Sequence, residues 1–146
     1  MGIRITTDHV LLNELSELIE QSRHQLISHT NSVLTILFWQ IGNRINESIL
    51  SNRRADYGKQ VVFILSRQLV DKYGNNFEEK NLRRMLQFAE QFSDQEIVVT
   101  LSRQLSWSHI LILLPIKNTE AKLFYAKSVA SQGLSVRDLR KKISAK

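Results

Sequence analysis

The sequence predicts an all-α fold of about seven helices, organised as helix-turn-helix units. Three observations carry this. One proline and five glycines occur in 146 residues, so breaking residues are scarce. Apolar residues recur at spacings of three and four along most of the chain. Capping residues stand at intervals that suit helix starts. Residues 96–104 stay open between a further helix and a small β-wing, as in a winged-helix arrangement.

Thr7 or Asp8 is placed to cap a first helix running to about Gln21, with Leu11, Leu15, Leu18 and Ile19 on one face. A second helix is expected from about Ser28 to Leu50. Its stripe is Leu34, Phe38, Ile41, Ile45 and Ile49, widened by Leu37 and Trp39. Ser51-Asn52-Arg53-Arg54 reads as a polar break. A third helix follows from about Asp56 to Lys72, with Val61, Leu65 and Leu69 inward, and ends at Gly74-Asn75-Asn76. A fourth is expected from Phe77 to about Phe92, opened by a capping box of Asn76 and Glu79. Ser93 and Glu96 repeat that spacing before Ile97-Val98-Val99-Thr100, whose periodicity does not choose between helix and strand. Ser106 caps a short helix ending at Pro115. Asn118 caps another that stops at Gly133, and Ser135 caps the last, to about Ile143. The pentapeptide Leu-Ser-Arg-Gln-Leu occurs at 65–69 and again at 101–105, but its surroundings do not repeat.

Composition narrows the function. Without cysteine there is no disulfide framework, thiolate metal site or cysteine nucleophile, which fits a reducing, cytoplasmic setting. No secretory signal is visible at the start. The longest apolar run, Ile110 to Ile116, is broken by Pro115 and far short of the ~20 residues of a membrane span. The net charge is +6, unevenly distributed. Residues 1–50 carry a net −2, residues 51–90 a net +3 and residues 91–146 a net +5. A polyanionic partner is therefore expected at the last two thirds.

Two constellations fit such a partner. In the 57–92 unit, Leu82, Met85, Leu86 and Ala89 point one way. Lys80, Arg84, Gln87 and Gln91 point the other, with Arg83 beside them. Arginine and glutamine read base edges or grip phosphates. Glu78 and Glu79, however, place negative charge where a phosphate would approach. In the 119–144 unit, Val136, Leu139 and Ile143 face inward while Arg137, Arg140 and Lys141 face out, with Lys142 beside them. A third segment, Ser106-Trp107-Ser108-His109, suits stacking on a base but reads better as core and cap. Catalytic signals are weak. His9, His24, His29 and His109 show no helical metal-site spacing, and no glycine-rich phosphate loop occurs. Glu78-Glu79-Lys80 and Glu120-Ala121-Lys122 match only a loose acid-x-lysine tripeptide at predicted helix starts.

Several runs resemble a known family. They are Ala55-Asp56-Tyr57-Gly58-Lys59, Leu65-Ser66, Phe77, Asn81-Leu82-Arg83-Arg84-Met85, Leu105-Ser106-Trp107-Ser108-His109, Phe124-Tyr125 and Ser135-Val136-Arg137-Asp138-Leu139. Over roughly residues 30–144 the chain resembles the amino-terminal domain of the YhcG-like bacterial proteins. The resemblance implies a helix-turn-helix or winged-helix DNA-binding part, usually followed by a PD-(D/E)XK nuclease domain. The family's patterned positions are here Tyr57, Gly58, Leu82, Arg84, Met85, Trp107, Ser108, His109 and Tyr125. Two departures stand out: Leu134 where relatives often have tryptophan, and Glu78 where they often have serine.

The expectation is one helical domain over residues 1–146, with N-terminal helices at 1–50 and a helix-turn-helix core at 55–144. No nuclease domain is expected within it, so a nuclease domain would act as a partner in cis or in trans. The sequence reading is a non-catalytic DNA-binding module that needs no cofactor or metal. Lys80, Arg83, Arg84, Gln87, Arg137, Arg140 and Lys141 would contact duplex DNA. The alternative is a protein-interaction or dimerisation domain, a homodimer pairing through the 28–50 helix by Leu34, Phe38, Ile41 and Ile45. An intrinsic nuclease ranks third.

Overall fold

A computed structural model describes residues 5–51 and 57–145. Seven α-helices and one 3-10 turn follow in order, with no strand among the described residues. They are α1 (Ile5–Ser51), α2 (Tyr57–Tyr73), α3 (Glu79–Gln91), α4 (Gln95–Ser102), α5 (Trp107–Leu113), α6 (Thr119–Gln132) and α7 (Val136–Ser144), and the 3-10 turn spans Asn75–Phe77.

The first two expected helices are one, 47 residues long and therefore about 70 Å from end to end. The expected gap at 22–27 contains neither glycine nor proline. Further on, the Thr30 hydroxyl folds back onto the Leu26 carbonyl at 2.9 Å and stays compatible with the helix. The helix already runs from Ile5, so Thr7 and Asp8 lie inside it rather than capping it. The side chain of Leu11 and the polar break at 52–54 lie outside what is described.

The C-terminal half of α1 is the spine. Gly42 sits directly under α3: a Cβ there would come within 2.0 Å of the Met85 carbonyl oxygen. Asn46 donates to the Leu86 carbonyl at 2.9 Å, and the Trp39 indole N–H donates to the Phe92 carbonyl at 2.7 Å. Two apolar cores flank this crossing. Phe38, Ile45, Val62, Leu82 and Met85 join α1, α2 and α3. Trp39, Phe88, Leu105, Ile110, Leu113, Val129 and Leu139 belong to the second core, which reaches α7. Trp107 packs against both.

Helix boundaries differ from expectation in three places. Phe77 closes the 3-10 turn, and α3 starts two residues later. The Asn76–Glu79 capping box does not form: Glu78 holds the N-cap position without a side-chain bond, and the Asn81 amide donates to the Asn76 carbonyl instead. At α4 the cap is Asp94, which accepts from the Glu96 N–H at 2.9 Å, rather than Ser93. Residues 97–100 are helical despite their β-branching, because Val98 and Leu101 drop into the core. The wing at 96–104 is therefore replaced by α4 and the turn after it. Other expected caps are present. Ser106, Asn118 and Ser135 each accept from the backbone of their own first turn, and Gly133 ends α6 at φ 64°, ψ 39°.

Phe38 and Ile45 are 2% and 8% exposed, buried within their own domain. These two cannot make the partner interface expected of the 28–50 helix, whose exposed apolar residues are Val33, Leu34, Leu37 and Leu50.

Candidate nucleic-acid interface

The inner face of α3 is fixed by Leu82, Met85, Phe88 and Ala89, all buried. Helical geometry then turns Lys80, Arg83, Arg84 and Gln87 away from α1. These four line one side of a groove of about 370 Å³, whose other wall is Leu111, Leu114 and Pro115 at the end of α5. Arg83 donates to Glu79 at 3.0 Å, a solvent-exposed pair that contributes little to stability. No carboxylate pairs with Lys80 or Arg84 among the described residues. Gln91 does not share this face's role, because its side-chain oxygen accepts from the Lys122 ammonium.

Leu139 is fully buried and anchors α7, leaving Arg137, Arg140 and Lys141 exposed on the opposite face. Arg140 lines a second groove, of about 350 Å³, with Ile112, Pro115, Ile116, Ile143 and Ser144. Pro115 borders both grooves. The α3 groove and the groove that holds Arg140 thus share one bordering residue at the end of α5. Arg137 and Lys141 line neither groove. Lys142 is half-buried, its ammonium 5.8 Å from the centre of the Phe124 ring.

The cations are legible in the sequence, but the wall that faces α3, Leu111, Leu114 and Pro115, is not. The outer face of α2 adds half-exposed Phe63, 5.5 Å under the Arg67 guanidinium. An exposed aromatic beside an arginine was the available signal.

The Ser106–His109 segment is structural. Trp107 packs edge-on against Phe38 at 5.0 Å and donates its indole N–H to Asn81 at 3.0 Å. His109 is buried. Its Nδ1 lies 3.1 Å from the Ser106 N–H, and its Nε2 lies 2.8 Å from the Leu134 carbonyl. An N–H only donates and a carbonyl only accepts, so the proton sits on Nε2. The histidine ties the start of α5 to the α6–α7 turn.

Lys122 is buried and held by Gln91, and burial pushes its pKa below the ordinary lysine value. Among the described residues, no three histidine, cysteine or acidic side chains gather as a metal site, and no helix is long and apolar enough to cross a membrane.

The geometry defines an all-α domain in which Lys80, Arg83, Arg84 and Arg140 border two grooves that share Pro115. The chain belongs to the family of the DUF1016 N-terminal domain, whose model matches residues 14–146. It is 30% identical over 157 aligned positions to "Putative nuclease YhcG" of Escherichia coli K12. That match covers 87% of this chain and 42% of the relative, so the chain spans less than half of that protein's length. No solved structure matches the chain significantly. The YhcG-like resemblance read from the motifs is thereby established. Most of the patterned positions it rests on are core or anchor residues. Leu82, Met85 and Tyr125 are buried, and Tyr57 shares a hydrogen bond with Ser48 at 3.2 Å.

Proposed function

We propose that this domain binds duplex DNA and acts as the targeting part of a nuclease-type protein, without cutting DNA itself. The observation that carries the reading is the shared seam. Lys80, Arg83, Arg84 and Gln87 on α3 and Arg140 on α7 border grooves that meet at Pro115. Four cations and one amide reached from two helices suit a phosphate backbone that passes along both. The name of the E. coli relative supports a nuclease context. In this reading α2 and α3 form one helix-turn-helix and α6 and α7 a second. Arg137, Arg140 and Lys141 hold phosphates, while Lys80, Arg83, Arg84 and Gln87 approach a groove. Glu78 and Glu79 at the start of α3 disfavour a phosphate there, so α3 enters by its side rather than its N-terminus.

The catalytic step belongs to a nuclease domain in cis or in trans. Neither acid-x-lysine tripeptide is built for metal chemistry. No third acidic or histidine side chain joins Glu78 and Glu79 as a metal site among the described residues, and Lys122 is buried against Gln91.

The test is charge removal on each helix. Arg137→Ala/Arg140→Ala/Lys141→Ala and, separately, Lys80→Ala/Arg84→Ala should each weaken DNA binding. Each should also lower the salt slope of log K by about one unit per lost phosphate contact. All five side chains are at least partly exposed, so folding is retained. Unchanged affinity and slope in both variants would overturn the proposal.

A further inference from the structure

The outer face of α1 carries an apolar stripe that the domain does not use. Leu15, Ile19, Leu26 and Val33 are 46%, 54%, 67% and 53% exposed, and Leu37 is 42% exposed. At about 100° per residue these five fall within about 40° of one another around the helix. The core-facing Thr35, Phe38 and Gly42 lie on the other side. Every described side chain from Asn13 to Asn31 is exposed. Ser32, bonded to Ser102 at 3.2 Å, marks where the helix meets the domain. A helix that projects with an apolar stripe and no packing partner is marginal in water.

The spacing of the stripe says what covers it. Leu15, Ile19, Leu26, Val33 and Leu37 are separated by four, seven, seven and four residues, a seam of the coiled-coil type. That series reads the same in both directions about Leu26. Seven residues beyond its ends stand Asp8 and Arg44, of opposite charge. Arg44 is exposed and has no ion-pair partner among the described residues. An apolar series symmetric about its own midpoint, with residues of opposite charge seven positions beyond its two ends, is complementary to a copy of itself turned through a two-fold axis.

We propose that the α1 helices of two copies pair antiparallel about Leu26. Leu15 then lies against the second copy's Leu37, Ile19 against its Val33, and Asp8 is in register with its Arg44. A parallel pair would set Asp8 beside Asp8 and Arg44 beside Arg44. The interface runs about 33 Å between Leu15 and Leu37. The two domains sit at opposite ends, each with its basic seam.

The inference is independent of DNA binding, and its test needs no DNA. Sedimentation of the whole chain from about 1 to about 100 μM should show twice the monomer mass, or rise to it. Leu26→Glu should give a monomer with an unchanged circular dichroism spectrum, the side chain being exposed. The chain has no cysteine, so direction can be read by cross-linking. Leu15→Cys and Leu37→Cys should each fail to form disulfide dimers alone and should form them when mixed. A monomer at every concentration, or a Leu26→Glu variant that still dimerises, would overturn the pairing. Disulfides formed by each variant alone would overturn its antiparallel direction.

Discussion

Both ring nitrogens of His109 are satisfied by backbone, one at the start of α5 and one at the turn before α7. Replacing it leaves the part-buried Leu134 carbonyl and Ser106 N–H without this partner. His109→Ala should therefore cost about 1–3 kcal/mol in chemical denaturation, and DNA affinity measured well below the unfolding transition should change little. Lys122 behaves oppositely. Burial holds its folded-state pKa below the unfolded value. Between those two values the unfolded chain binds more protons, so stability rises with pH across that window. Below the window, at neutral pH, the penalty of a desolvated cation is fully present. Lys122→Met should therefore raise the thermal midpoint at neutral pH and flatten its rise toward alkaline pH. A lower midpoint would mean that the bond to Gln91 outweighs the burial cost.

The crossing of α1 and α3 sets how deep the core can be. Gly42→Ala forces the two helices apart, because the new carbon meets the Met85 carbonyl. It should cost about 1–3 kcal/mol, as overpacking does, readable in denaturant midpoint. Gly133→Ala meets no atom but strains a left-handed backbone at φ 64°, so its cost should be smaller, about 1 kcal/mol. Elements whose ends are set locally were legible in sequence. Ser106, Asn118, Ser135 and Gly133 act within one turn of chain, and they mark α5, α6 and α7 where expected. What depends on distant packing was not legible. Nothing local says that residues 22–27 remain helical within one 47-residue helix, or that 97–100 fold as helix because the core takes Val98 and Leu101. The same holds for the site. Periodicity placed Lys80, Arg84 and Arg140 on outer faces, but their union around Pro115 is tertiary. Phe38 shows the converse: its spacing suited a partner helix equally well, and only the fold reveals that α2 and α3 already cover it.

Across the whole molecule, two separate surfaces carry the two proposals. The seam at the end of α5 is the proposed contact for a polyanion, and the outer stripe of α1 the proposed contact for a second copy. Paired through α1, two seams would face DNA at a fixed separation, and avidity would then depend on the spacing between their contacts. Leu26→Glu should leave the affinity of each single seam for a short duplex intact while removing any gain on a longer one. DNA binding itself is open to direct measurement. Its most direct test is fluorescence anisotropy of the unmodified chain with a labelled duplex of about 25 base pairs, at about 50 and about 200 mM salt. Binding is expected at the lower salt, with a fall in affinity of ~10²-fold or more at the higher, the mark of several phosphate contacts. No binding at the lower salt would contradict the DNA-binding proposal.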